Sequence, residues 1–260
     1  MRAGAGRSLG RFVALLALAV VALQVWFVLR IALMAVVDPQ STTFQRSEAW
    51  RLLLADRPLA WQQRWVDQAA ISSHLKRAVI ASEDAGFTEH SGVEWDALEK
   101  AWAKNARAEA VAERAKERAA PRPEAARRPT PPPTVRAAKV VGGSTITQQL
   151  AKNLFLGGER SLLRKGQELV LAWELEALLG KRRILEIYLN SVEWGEGVFG
   201  AEAAARRYHR VAAAALSPGQ AAQLAVLLPA PKRFEKRIGS PYVLGRAGTI
   251  AARMGGVDLP

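Results

Sequence analysis

Two carboxylates stand side by side at Glu83 and Asp84 in the stretch EDAGFTEHSG, with Phe87 and His90 behind them. On one continuous helix Glu83, Phe87 and His90 would fall at i, i+4 and i+7 and share a face. A carboxylate in such partly apolar surroundings is a candidate general base, because burial raises its pKa toward neutrality. A second grouping lies in RKGQE, where Arg164 and Lys165 precede Glu168 by four and three residues. As a surface ion pair this base-before-acid order is the weaker one, and such pairs contribute only ~0.2–0.5 kcal/mol. The same spacing suits a site where cations hold a departing phosphate and a carboxylate orients the reacting group.

The elements that must carry these groups read as helices. In GGSTITQQLAKNLFL, Gly142 and Gly143 permit a turn, and Thr145 with Gln148 three residues on fits a capping box, so a helix should begin there. Ile146, Leu150 and Leu154 would line one face; Thr145, Gln149 and Lys152 would line another. A glycine turn feeding a helix start, with a lysine two turns in, is a phosphate-binding design, although an ordinarily capped amphipathic helix has the same sequence. From His74 onward apolar residues recur at three and four, and no segment sustains period-two alternation, so the expected domain is mainly α. LEIYLN should end a helix near Asn190, before a glycine-punctuated loop and a further helix.

Composition removes several classes of function. The 260 residues include no cysteine, which excludes disulfides, thiolate nucleophiles and cysteine-held metals. His74, His90 and His209 form no close ligand pair, so no dedicated metal site is expected. The net charge of +13 points to a polyanionic partner. Residues 12–37 form an apolar segment long enough to cross a hydrocarbon core of ~30 Å. Arg2, Arg7 and Arg11 precede it and Asp38 is the first acid after it, which predicts a basic cytoplasmic tail at 1–11, an anchor at 12–37 and everything beyond on the outer side. A cleaved signal peptide is the alternative. Export argues against nucleic acid as the polyanion, and no nucleic-acid recognition motif is present. Residues 38–70 read as a connector and 71–260 as one mainly helical domain. That domain carries an insertion at about 101–138, with a charged helical half (99–120) and a half rich in proline (121–134). The insertion is either a tolerated surface loop or a basic segment resting on anionic headgroups.

Taken in order, EDAGFTEHSG, GGSTITQQLAKN, RKGQE and RILEIYLNSVEWGEGVFGAEAAARRY resemble the successive motifs of the peptidoglycan glycosyltransferases, the family-51 transglycosylases, over about residues 70 to 235. With one anchor and no second catalytic domain, the chain is most similar to the monofunctional biosynthetic form. The tetrad Ser73–Lys76 formally fits SxxK but has no KTG or SDN companion, so no transpeptidase activity is expected. The resemblance implies a lysozyme-like, mainly helical fold behind one transmembrane helix, single-pass in the bacterial inner membrane, with the catalytic domain periplasmic. It implies polymerisation of lipid II into glycan strands, with Glu83 as base and Glu168 as second carboxylate. Lys152, Arg164 and Lys165 would neutralise the pyrophosphate, and Ser144, Thr145, Gln148, Gln149 and Asn153 would contact the donor. Asp84, Phe87 and His90 would support the first motif. It further implies no tightly bound cofactor, a divalent cation (Mg²⁺ or Mn²⁺) at the pyrophosphate, and as partners the nascent strand, the membrane and other wall-synthesis or division proteins. A glycan hydrolase on the same type of fold and a catalytically silent scaffold are the competing readings.

Overall fold

The computed structural model describes residues 2–55, 61–96, 143–159 and 161–260, with isolated positions between 99 and 114. The chain divides into two compact units, Met1–Val93 with Thr145–Pro260, and Glu94–Ser144. In the smaller unit the described residues from Trp95 to Arg114 are helical, as the composition of 99–120 predicts. The proline-rich stretch lies outside the described residues.

The larger unit opens with α1 (Arg2–Leu33), in which Ser8–Leu33 contains an 18-residue stretch of mean hydropathy 2.7 and is long and apolar enough to cross a membrane. The helix stops at Leu33, short of the apolar limit at Val37. Residues 34–37 turn instead, and Arg183 caps the end by donating to the Met34 carbonyl at 2.8 Å and to Asp38 at 2.7 Å. Pro39 adds to the stop, because it disfavours helical geometry at the residue before it. The last turns of α1 belong to the domain core: Phe27, Ile31 and Met34 are buried. Trp26, Phe27 and Phe155 meet edge-on with centroids 5.1 to 6.4 Å apart.

Where it is described, at 38–55 and 61–70, the segment that reads as a connector packs onto the domain. In α2 (Thr43–Leu54) Thr42 and Gln45 form a capping box; Thr43 bonds the Leu154 carbonyl at 2.8 Å and Gln45 bonds the Ser191 carbonyl at 3.2 Å. Next come β1 (Gln62–Gln63), α3 (Ser73–Glu83), α4 (Ile146–Phe155) and the long α5 (Leu162–Ser191). Beyond them lie β2 (Glu193–Gly195), β3 (Val198–Phe199), α6 (Ala201–His209), α7 (Pro218–Leu227), α8 (Pro231–Phe234) and α9 (Pro241–Arg253). The short sheet has order β1-β3-β2, with β1 parallel and β2 antiparallel to β3. No alternation betrays these strands in the sequence, because both residues of β3 and all three of β2 are buried.

Helix α5 is the spine. It packs along α4 and against α1, and breaks at Gly180, whose φ of 69° lies in the left-handed region. The apolar stripe of α4 (Ile146, Leu150, Leu154) meets Leu171 and Leu175 of α5 in one core, and α3 adds Leu75, Val79 and Ile80 on the side where α7 and α9 close over it. Gly200, with φ +84°, joins β3 to α6, and a Cβ there would stand 2.7 Å from the Asn190 carbonyl oxygen. Gly200→Ala should therefore cost about 2–4 kcal/mol through strained backbone plus steric clash. Denaturant unfolding of the variant in detergent checks this, and an unchanged midpoint would show that the junction relaxes freely.

Candidate active site

The first motif is not a helical face. Helix α3 ends at Glu83, and Asp84 takes φ −162° and ψ 73°, so Phe87 and His90 lie in the following turns instead of one and two helical turns on. The cause is Asp84 itself. Its carboxylate is buried and bonded twice, to His90 Nε2 at 2.8 Å and to the Ile146 backbone N–H at 2.9 Å. Following the helix would turn the side chain away from both. Phe87 is fully buried, edge-on to His90 and 4.5 Å beneath the Lys181 ammonium, so it supports the turn from within the core instead of lining a cleft beside Glu83.

The same bond revises the phosphate-binding reading of the α4 start. Thr145 and Gln148 do form the predicted capping box, and the free N–H at Ile146 points at a carboxylate, but that anion is Asp84 of the chain itself. Thr145 also donates to the Gly92 carbonyl at 2.6 Å, and both Thr145 and Gln148 are buried. Asn153 is buried as well, and Ser144 is half-buried in the extended stretch before the cap. An internal acid therefore satisfies the helix start, and the second face of α4 is what remains for a ligand.

That face carries Gln149 and Lys152, three residues and ~4.5 Å of helical rise apart. Gln149 Nε2 donates to Glu83 at 3.0 Å while its carbonyl oxygen accepts from the Tyr188 hydroxyl at 2.9 Å, which fixes the amide orientation. Glu83 is half-buried and its pKa is raised: desolvation dominates and the neighbouring Asp84 adds to it, against the Gln149 hydrogen bond and the field of Arg246 on α9. Further along, Lys152 is open to solvent, yet desolvation together with Arg164 and Lys165 lowers its pKa against the pull of Glu168. Glu168 is buried on α5 and clamped by Arg164 at 2.9 Å and by Lys165.

The two carboxylates thus have opposite surroundings. Glu83 is bonded by a neutral amide; Glu168 sits between two cations with Lys152 close by. Tyr188, Arg246 and the adjacent Gln167 are missed by spacing arguments, since each acts across the fold. Only Gln24, the lone polar residue between Phe12 and Leu29, signals a partner in advance; it exchanges amide hydrogen bonds with Gln167 at 3.0 and 3.5 Å, beside Glu168. Among the described residues no group of three or more His, Asp or Glu side chains converges on a cation position, and both oxygens of Glu168 are engaged by cations. These residues do not fit a protein-held divalent ion.

Comparison with known proteins is specific. Residues 54–115 and 133–255 match the family described as Transglycosylase, leaving 116–132 of the Ala- and Pro-rich stretch unmatched. A biosynthetic peptidoglycan transglycosylase of Burkholderia pseudomallei is 49% identical over 259 residues, covering 100% of this chain and 90% of that protein. Its counterpart in Burkholderia thailandensis is 50% identical over 239 residues (92% of this chain, 82% of the relative). That of Paraburkholderia xenovorans is 48% identical over 249 residues (95% and 91%).

Since Asp84 joins two motifs, Asp84→Ala should leave a half-buried imidazole and a buried helix-start N–H without their acceptor and cost about 2–4 kcal/mol. Urea unfolding measures it; a loss below ~0.5 kcal/mol, the range of ordinary surface substitutions, would mean that another acceptor replaces the carboxylate.

Proposed function

Because the chain belongs to the transglycosylase family, as a peptidoglycan glycosyltransferase of bacterial cell wall biosynthesis, we propose that it polymerises lipid II with Glu83 as the base and Glu168 within the leaving-group site. The contrast between the two carboxylates carries this reading. A base needs a carboxylate that gains by taking a proton, and Glu83, desolvated and next to Asp84, is such a group. A departing pyrophosphate needs fixed cations, and Lys152, Arg164 and Lys165 gather around Glu168.

In the proposed reaction the GlcNAc 4-hydroxyl of lipid II attacks C1 of the terminal MurNAc on the growing chain. Glu83 takes the hydroxyl proton as the new C–O bond forms. The C1–O bond to the lipid pyrophosphate breaks, its electron pair leaves with the phosphate, and the anomeric centre inverts from α to β. Gln149, oriented by Tyr188, holds Glu83 toward the incoming hydroxyl. Lys152, Arg164 and Lys165 offset the charge that develops on the leaving group, while Glu168 keeps Arg164 and Lys165 in place. A divalent ion would reach this site only as part of the pyrophosphate substrate. The apolar helix α1 anchors the domain, with the amino terminus cytoplasmic and the catalytic domain periplasmic in this reading. The implied partners are the lipid II pool and the nascent strand, with other wall-synthesis proteins beside them; neither nucleic acid nor transpeptidation enters.

Incubating the detergent-solubilised protein with lipid II tests the reading directly. Glycan strands are expected; digestion of preformed sacculi with no polymer formed would assign a hydrolase instead. Glu83→Gln should lower polymerisation at least ~100-fold, the lower range for loss of a general base. The pKa shift fixes the sign of its effect on stability. A carboxyl raised above 4.5 by folding stabilises the fold fully below its unfolded pKa, and that contribution is lost as pH rises through its folded pKa. Removing the charge should therefore leave stability at neutral pH unchanged or raised. Activity should climb with pH through the same raised pKa, and a variant with near-normal turnover would remove Glu83 from the mechanism.

A further inference from the structure

The cleft cations account for only part of the +13 net charge. A second concentration surrounds a cavity of about 510 Å³ between β1 and α6. Arg64 reaches it from the β1 side, and Arg206, Arg207 and Arg210 from the end of α6. The one carboxylate in its wall, Glu202, is already engaged, accepting from the Ala213 N–H at 2.7 Å and from Arg206 at 2.8 Å. Arg64, Arg207 and Arg210 form no salt bridge among the described residues, so the cavity keeps a surplus of three guanidinium groups.

Basic residues near a helix C-terminus are favoured by the macrodipole, and that alone would account for the α6 arginines. It does not account for Arg64, which belongs to another element, nor for the backbone of Arg210. Arg210 caps α6 with φ 59° and ψ 26°, a left-handed position that glycine fills most cheaply. An arginine there keeps a guanidinium at the cavity despite backbone strain. The rest of the wall suits a sugar. Trp61 lies half-buried against Phe199, centroids 4.5 Å apart, and also lines the cavity, while Gln62 and Gln63 present amides beside it. The most exposed aliphatics, Leu162 and Leu163 at 93% and 86%, are at the start of α5 and do not line the cavity; Leu53 and Leu54 at the end of α2 are exposed too, and they do not line it either.

We propose that this cavity is a second, non-catalytic site for the carboxylate-bearing glycan product. A sugar ring packs on Trp61, Gln62 and Gln63 bond its hydroxyls, and Arg64, Arg207 and Arg210 hold the carboxylates of its peptide stems. The identity of the glycan rests on the proposed function; the anion and sugar chemistry rests on the cavity.

The test is binding of uncross-linked, lipid-free peptidoglycan strands to the full-length protein in neutral detergent micelles. The same strands with their carboxyls amidated should bind about tenfold more weakly, the scale of one or two charge-assisted bonds lost. A triple variant, Arg64→Gln, Arg207→Gln and Arg210→Gly, should lose about as much. A control triple, Lys236→Gln, Arg237→Gln and Arg253→Gln, removes equal charge elsewhere and should change binding less than about twofold. The rate of first coupling of lipid II should stay that of the wild type in the cavity variant. Equal losses in both triples, or equal binding of amidated strands, would overturn the site. So would a cavity variant that loses binding to phosphatidylglycerol vesicles while still binding strands, which would make it a lipid-headgroup site. Failure of the Glu83 assignment would show in the polymerisation assay alone, because binding is read on preformed strands.

Discussion

The carboxylate of Asp84 joins the parts of the site. One oxygen meets His90 and the other the first N–H of α4, so the turn after α3 and the start of α4 are held by a single buried anion. A helix start carries unpaired N–H groups and a positive dipole end, and an internal carboxylate satisfies both. Two consequences follow. Helix α3 must stop at Glu83 so that the next side chain can turn inward, and Glu83 is left at the last helical position, beside Gln149 of the captured helix. The adjacency of the two acids is therefore a division of labour: one fixes geometry, and the other is the carboxylate of the proposed chemistry.

A second constraint comes from α5. The helix carries Arg164, Lys165 and Glu168 near its start and Tyr188 near its end, so one element supports both the cationic group and the residue that orients Gln149. The break at Gly180 lies between them. Just beyond it Lys181 reaches both Glu176 and the Phe87 ring, tying the bend to the turn that follows Asp84. The end of the apolar helix and the site residues also belong to one compact unit. The reciprocal amides of Gln24 and Gln167 and the buried Phe27, Ile31 and Met34 make the end of α1 part of the domain core.

What the sequence by itself determined is the set of local features whose physics is complete within a few residues. The capping box at Thr145 and Gln148, the apolar stripe of α4 and the Arg164/Lys165/Glu168 grouping depend on helical spacing, and all three appear as read; the apolar run also forms a helix, which stops at Leu33 and not at Val37. The order of four motifs carried the family, because several multi-residue matches in sequence are specific. The shared helical face of Glu83, Phe87 and His90 was not legible, since it assumed a helix that a bond to residue 146 interrupts. Tertiary structure alone decided that the anion at the α4 start is Asp84, that Phe87 is core, that Tyr188 and Arg246 reach the Glu83 neighbourhood, and that Thr42, Gln45 and Gln68 are buried against the domain. The physical reason is common to these cases: a buried polar group bonds whatever partner the fold brings within about 3 Å, and that partner lies tens of residues away in the chain.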